Sequence, residues 1–321
     1  MGKVLVETRD VCKYFKTPRG LLHAVDKVNL KIEEGKTLGV VGESGCGKST
    51  LGRTITRLLE PTSGDVLFEG ESIMKYSPKQ LHEVRKKMQL IFQDPYSSLN
   101  PRMSVQELIA EPLIINKVFP EKSQVYKRVS ELMETVGLAE RLSVAYPHEL
   151  DGGRRQRIGV ARALALSPKF IVCDEPVSAL DVSIQAQILN LLMDLQDSMG
   201  LSYMFVTHDL SVVKHISDEI AVMYMGVCVE RAPSRELFEN PLHPYTQALL
   251  SAIPIPDLDA RNREAQVIRG EVTSPVNPKP GCRFAPRCEY KCDDCLGKDH
   301  PLVEMKPNHF VSCAHPLCTK K

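Results

Sequence analysis

The chain has 321 residues, of which 25% are charged and 43% come from the apolar set, with a formal net charge of +1. That length suits one large domain with an extension, or two domains, and the near-neutral balance lacks the basic excess of a nucleic-acid binder. No stretch approaches the roughly 18 apolar residues of a membrane span, and the opening Met-Gly-Lys-Val-Leu-Val-Glu has no apolar signal-peptide core. The expectation is a cytosolic protein with mostly reduced thiols.

Residues 4–34 alternate apolar and polar in short runs, which predicts an antiparallel strand layer. Thr37–Val41 reads as a buried strand and Leu51–Leu59 as a helix. Between them, residues 42–50 read Gly-Glu-Ser-Gly-Cys-Gly-Lys-Ser-Thr, a complete G-x-x-x-x-G-K-S phosphate loop in strand–loop–helix context. Gly42, Gly45 and Gly47 let the backbone curl so that its amides face inward, and the helix adds its positive end. Lys48 would reach the β- and γ-phosphates of a nucleotide, and Ser49 would hold magnesium through its hydroxyl. The competing reading, a glycine turn with no ligand, leaves the helix and the Lys-Ser pair unexplained.

Pro61–Gly64 is a turn and Asp65–Phe68 another strand. Residues 104–143 look mostly helical, with Ser104 as an N-cap and a second helix near Val125–Val136. Phe170–Cys173 is a buried strand ending at Asp174-Glu175, Ile188–Met199 an amphipathic helix, and Tyr203–Val206 a strand ending at Thr207-His208. Uninterrupted apolar strands alternating with helices predict a mostly parallel sheet covered on both sides. From about residue 235 the sequence turns proline-rich and loses periodicity, so a boundary is placed there; no internal repeat is visible.

Several further residues can carry chemistry. A carboxylate at a strand's C-terminal end projects into the crevice where open α/β sheets bind ligands. Asp174 can therefore orient magnesium through water, and Glu175 can polarise an attacking water; by themselves they could equally be a surface pair capping a turn. Gln93, just after an apolar strand, can ligate magnesium or touch that water, although a lone glutamine is more often a solvated loop residue. His208 can bond a γ-phosphate or be structural. Ser178–Asp181 reads as a turn into a helix with Asp181 as N-cap, and Tyr14 can stack on a purine or be a half-buried strand aromatic.

In order and spacing these motifs resemble the ATP-binding cassette (ABC) ATPases from about residue 4 to 234. The resemblance implies an α/β P-loop NTPase core with an antiparallel β edge and a helical subdomain at about 98–162. In this reading Gly42, Glu43, Ser44, Gly45, Cys46, Gly47, Lys48, Ser49 and Thr50 form the Walker A loop. Gln93 matches the Q-loop, Phe170–Asp174 Walker B, Glu175 the catalytic carboxylate, Ser178–Asp181 the D-loop and His208 the switch histidine. Tyr14 matches the adenine-stacking aromatic and Ala24 a neighbouring adenosine contact. ATP and Mg²⁺ are implied, with Ser49 and Gln93 on the metal. The family signature Leu-Ser-Gly-Gly-Gln falls at Leu150, Asp151, Gly152, Gly153 and Arg154, differing at two positions. In the family this segment meets the ATP of the opposite subunit. A carboxylate about 4 Å from a phosphate charge would cost roughly 4 kcal/mol at an effective dielectric near 20, unless Asp151 caps the helix from Gly152 or pairs with Arg154.

The remainder, 235–321, is similar to the C-terminal extension of oligopeptide/dipeptide importer ATPases. It has His243-Pro-Tyr-Thr, Gly281-Cys-Arg-Phe and Arg287-Cys288. Six cysteines crowd the last forty residues, and the group's C-x5-C-x6-C-x17-C pattern selects Cys282, Cys288, Cys295 and Cys313. The resemblance implies a [4Fe-4S] cluster; four thiolates suit zinc as well, and Cys292 and Cys318 are alternative ligands. Unligated cysteines in a loop-rich tail are the competing reading; because the tail lacks the apolar periodicity for a large core, a metal staple suits this small irregular cysteine-rich domain. The function implied is ATP hydrolysis driving peptide import from the cytoplasmic face of the membrane. The implied partners are a second, paralogous ATPase, two permease subunits and an extracytoplasmic peptide-binding protein. Three alternatives stand beside it: a nickel or other small-solute importer of the same subfamily, a regulatory ATP-binding subunit with weak turnover, and a soluble cassette of DNA repair or translation.

Overall fold

The structure is a computed structural model that describes residues 2–253 and 274–317, so Cys318 lies outside the described residues. Two long strands open the chain, β1 (Val4–Thr17) and β2 (Gly20–Glu33), followed by the fully buried β3 (Thr37–Val41) and α1 (Lys48–Ile55). Next come β4 (Ser63–Phe68), β5 (Glu71–Ser72), α2 (Pro78–Lys87) and β6 (Met88–Ile91). Four helices follow: α3 (Pro95–Ser98), α4 (Val105–Ile115), α5 (Lys122–Thr135) and α6 (Gly152–Leu164). Then come β7 (Phe170–Asp174), α7 (Val182–Met199), β8 (Ser202–Val206), α8 (Leu210–Ile216), β9 (Glu219–Tyr224) and β10 (Val227–Pro233). The last are α9 (Ser234–Glu239), α10 (Pro244–Ser251), β11 (Val303–Lys306) and β12 (His309–Val311). No described helix is long and apolar enough to cross a membrane.

The chain falls into two compact units. One gathers residues 32–36 and 73–204 with the first few residues. Its strands β6 and β7 pair in parallel, Met88 opposite Phe170 and Ile91 opposite Cys173. Helices α4, α5, α6 and α7 pack through buried Leu108, Ile109, Leu113, Val129, Leu132, Ile158 and Leu164. Ser104 heads α4, its backbone N–H and hydroxyl both donating to the Glu107 carboxylate at 2.7 and 2.8 Å.

The other unit gathers residues 6–31 and 37–72 with the described residues after 204. It holds the antiparallel layer, in the order β2-β1-β4-β5, with β1 pairing β4 from Val6 opposite Phe68. Beside it β3 runs parallel to β9, and β9, β10, β12 and β11 continue antiparallel. The expected parallel pairing therefore holds at β3–β9 and β6–β7, while the strands after β9 return as hairpins. Sequence reading named none of β9 to β12; of these β11 and β12 are only four and three residues long, but β9 and β10 have six and seven. Two helix limits also differ. Helix α1 starts inside the phosphate loop and ends at Ile55, where the Thr56 hydroxyl donates to the Gly52 carbonyl and Arg57 turns left-handed at φ 52°. Helix α7 starts at Val182 because the Asp181 carboxylate accepts from the Ile184 N–H at 3.0 Å, the capping role expected of it.

Among the described residues, the cysteine-rich tail packs onto the core of the second unit. Phe284 inserts into the cluster of Val41, Val213, Ile220, Val222, Tyr224 and Tyr245, with Cys282 and Cys288 packed alongside. Its ring lies 5.3 Å from both Tyr224 and Tyr245, in the offset and edge geometries aromatic pairs favour. Deeper still, the buried Glu230 carboxylate of β10 accepts from the Leu242 N–H at 2.6 Å and the His243 N–H at 3.0 Å, and meets His309 Nε2 of β12 at 2.7 Å. One side chain thus ties β10, the start of α10 and the last strand. Glu230→Ala would strand three buried polar groups, each at about 1–3 kcal/mol. We expect urea denaturation to show a loss of at least about 3 kcal/mol, against under about 1 kcal/mol for the exposed Glu239→Ala.

Candidate functional site

The phosphate loop is shaped by what its glycines touch. A Cβ on Gly42 (φ 151°) would lie 2.1 Å from the Met223 carbonyl oxygen, and one on Gly47 (φ 106°) 1.9 Å from that of Ala24. The loop is wedged between the β2 strand and the end of β9, which only glycine permits. At Gly45, where the backbone also turns left-handed, a Cβ would meet nothing within 4 Å, so the centre of the loop stands open. Gly47 is the N-cap of α1 and brings no side-chain acceptor, leaving the positive helix end for an anion. Lys48 is buried, its Nζ donating to the carbonyls of Gly42 at 2.9 Å and Glu43 at 3.0 Å. Ser44 and Gly45 are exposed, while Ser49 and Thr50 are half-buried on the first turn of α1. Burial pushes the Cys46 thiol up, outweighing the nearby Lys48 charge.

Tyr14, the expected purine-stacking aromatic, lies against His23 across the β1–β2 hairpin, ring centroids 4.0 Å apart, and its hydroxyl donates to Asp26 at 2.7 Å. Asp26 also meets His23 Nδ1 at 2.9 Å and is ion-paired with Arg283 from the tail. Burial alone would lift the Asp26 carboxyl, but the hydrogen bonds from Tyr14 and His23 and the Arg283 charge hold it below the usual carboxylate range. Ala24 presents its carbonyl to Gly47.

In the other unit, buried Asp174 ends β7, and Glu175 follows with φ 47°, a left-handed backbone that a non-glycine residue holds only at some cost. The Gln93 amide nitrogen donates to Glu175 Oε2 at 2.9 Å, joining two residues 82 apart in sequence. The Ser178 hydroxyl donates to the Glu175 carbonyl at 3.2 Å. At the signature segment Asp151 caps α6, accepting from the Arg154 N–H at 2.8 Å, and its other oxygen lies 3.3 Å from Arg154 Nη1. Gly152 and Gly153 abut Leu180 and Ile184; a Cβ on Gly153 would sit 2.6 Å from Ile184 Cγ2. His208 is exposed in the turn between β8 and α8, whose N-cap is Asp209.

Cys282, Cys288, Cys295 and Cys313 line one small recess together with His243, Phe284 and Tyr290. Burial pushes all four thiols up, Cys313 to about 12, so a cation would be needed to hold them as thiolates. Burial likewise lowers His243 to about 4. Its Nδ1 accepts from the Tyr245 N–H at 3.1 Å, and its buried Nε2 has no partner among the described residues. The four thiols share this recess as a loose grouping, whereas the described side chains whose ligand atoms come within 4.8 Å of one another, close enough for one metal ion, are Cys292, Asp294 and His315. The Cys292 Sγ lies outside the four-thiol set, 3.5 Å from the Cys295 Sγ.

His23 and Asp26 went unnoticed in the sequence, and Tyr245, Arg283 and Arg287 were noted only as parts of the extension's motifs, without their partners. The first two follow from hairpin register: with a turn at Pro18-Arg19, His23 falls opposite Tyr14. The others act across more than 200 residues, and no local pattern shows what they meet.

Two family models match the chain, the ABC transporter over residues 25–178 and the oligopeptide/dipeptide transporter C-terminal region over 229–295. The chain is 53% identical over 315 residues to the oligopeptide transport ATP-binding protein OppF of Bacillus subtilis (strain 168), covering 98% of this chain and 97% of that one. It is 52% identical over 312 residues to OppF of Escherichia coli (strain K12), covering 97% and 93%. Among solved structures, the dimeric post-hydrolysis form of the ATP-binding cassette MJ0796 bound to ADP and Pi superposes with a TM-score of 0.66 at 31% identity, covering 72% of this chain and 99% of that one. The chain therefore belongs to the ABC transporter ATPases, in the branch of the oligopeptide transport ATP-binding proteins.

Proposed function

We propose that the chain is the ATP-binding and ATP-hydrolysing subunit of an oligopeptide importer, placed at the cytoplasmic face of the membrane. Its partners are two permease subunits, an extracytoplasmic peptide-binding protein and a second, paralogous ATPase. The observation that carries this is the open phosphate loop running into α1 with Lys48 at its first turn, in a chain whose full-length relatives are named for oligopeptide transport. Those names favour peptides over nickel or other small solutes.

In this reading the loop amides and the N-terminus of α1 take the β- and γ-phosphates, and Lys48 leaves two backbone carbonyls to meet their charge. Tyr14 stacks on the adenine beside Ala24. Ser49 and Gln93 would hold Mg²⁺, with Asp174 orienting it through water; the ion supplies neutralisation of charge building on the phosphate oxygens. Since the Gln93 amide nitrogen is given to Glu175, the atom it offers a cation is Oε1. Glu175 polarises the attacking water and takes its proton as the water oxygen bonds the γ-phosphorus and the bond to the bridging oxygen breaks, releasing ADP and phosphate. His208 contacts the γ-phosphate. Cys282, Cys288, Cys295 and Cys313 would hold a [4Fe-4S] cluster, or zinc, whose role here is to staple a tail that packs onto the core of the second unit.

The signature segment would face the partner's ATP. Asp151 satisfies α6 and pairs with Arg154, but both side chains are about half exposed, at 58% and 48%, so the pairing offsets only part of the carboxylate's charge. The composite site built on this chain's signature is therefore the weaker of the two.

Three outcomes test this reading. Glu175→Gln in the assembled transporter is expected to keep Mg·ATP binding and lower phosphate release by at least about 100-fold; turnover near wild type would contradict it. Asp151→Ser should keep stability within about 0.5 kcal/mol, since serine caps as well, and raise turnover, whereas Asp151→Ala should lose about 1 kcal/mol; denaturation and ATPase assays together decide. Anaerobically purified chain should carry about four irons and four acid-labile sulfides. Stoichiometric zinc would replace the cluster, and neither metal would remove the staple.

A further inference from the structure

The phosphate loop contains a carboxylate, Glu43, close to where a polyanion is to bind. Its carboxylate oxygens meet Arg287 Nη1 at 2.8 and 3.1 Å, and the Arg287 side chain is only 7% exposed, against 22% for Glu43. The Arg287 guanidinium also lies over the Tyr224 ring, 6.0 Å from its centroid. On the same residue's backbone, the Glu43 N–H donates to the hydroxyl of fully buried Tyr245 at 2.9 Å. Arg283 grips the other side: it donates to the Met225 carbonyl and pairs with Asp26, while the adjacent Gly226 N–H donates to the Cys46 carbonyl at 2.8 Å. Residues 275–277 hydrogen-bond the start of β2 through His23 N–H to the Pro275 carbonyl and Asn277 N–H to the Leu21 carbonyl, both at 2.9 Å. Both arginines sit between Cys282 and Cys288, in the segment whose Phe284 is locked into the core.

We propose that the segment from Cys282 to Cys288 is a clamp on the nucleotide loop, with Arg287 the positioning residue that neutralises Glu43 and fixes the loop for ATP. This deepens the ATP-binding reading and rests on it. An unpaired Glu43 carboxylate would repel the incoming phosphates, and its backbone, bonded through its own N–H to Tyr245, keeps that residue in the loop. Arg287 cancels that charge through a buried, charge-assisted contact, the kind least weakened by solvent. ATP affinity is thereby set in part by Arg287, 244 residues away in sequence, in a segment whose conformation is held by the cysteine recess.

The test is a double-mutant cycle on the full chain with its cysteine recess intact, reading the dissociation constant of Mg·ATPγS at equilibrium. Arg287→Ala is expected to weaken binding roughly tenfold, as loss of a charge-assisted contact does, and Glu43→Gln to tighten it. In the Glu43→Gln background, Arg287→Ala should cost less than about twofold. Equal losses in both backgrounds would overturn the proposal, leaving Arg287 as a fold support only, and so would no loss in either. If Arg287→Ala does not fold, Arg287→Lys is read in both backgrounds instead, with about threefold weakening confined to the Glu43 background. Lys48→Ala separates this from the underlying reading. Wild-type affinity in Lys48→Ala means the loop is not the nucleotide site, whereas lost affinity there with an unaltered Arg287 variant sinks the clamp alone.

Discussion

The structure depends on how closely two backbone segments approach the phosphate loop. The Ala24 carbonyl and the Met223 carbonyl leave no room for a side chain at Gly47 and Gly42, so the loop can take one path only. That path places the first turn of α1 and buried Lys48 at the mouth of the loop while Gly45 faces open space. A polyphosphate is bound best by donors fixed before it arrives, because nothing then has to be reorganised. The same approach joins the loop to the β2 strand and to the β9–β10 turn, so phosphate loop and antiparallel layer are tied together within their unit.

The tail solves a problem of size. Some forty described residues with few apolar side chains cannot bury enough surface to stand alone. Here they borrow: Phe284 enters the core under the phosphate loop, Glu230 reaches three partners from β10, and residues 275–277 hydrogen-bond to β2. The cysteine recess then holds a segment that is already half anchored. Such an arrangement ties the condition of the recess to the geometry of the loop through Arg283 and Arg287, which a free-standing appendage could not do.

What the sequence revealed, and what it hid, follows from the range of the interactions. The phosphate loop, the Asp174-Glu175 strand end, and the caps at Asp181 and Asp151 are local patterns, and the structure places them in the elements read for them. Helix limits failed where a cap or a left-handed residue outside the apolar pattern decides the end, as at Lys48 and Arg57. The Gln93–Glu175 contact joins positions named separately, whose meeting required β6 and β7 to pair. Arg283, Arg287 and Tyr245 were legible as motif residues, but their roles were not, because each depends on a partner on another element. The charge pairing at Asp151 was foreseen as an option, and only coordinates could select it.

The central claim is that residues 42–50 form the ATP site and that Lys48 must release its backbone carbonyls to bind. The most direct measurement is an experimental structure of this chain with Mg²⁺ and a non-hydrolysable ATP analogue. The account predicts the β- and γ-phosphates over Gly45–Ser49, Lys48 Nζ moved from the Gly42 and Glu43 carbonyls onto phosphate oxygens, and Glu43 still paired with Arg287. Nucleotide bound elsewhere, or phosphates in the loop with Lys48 still on those carbonyls, would contradict it.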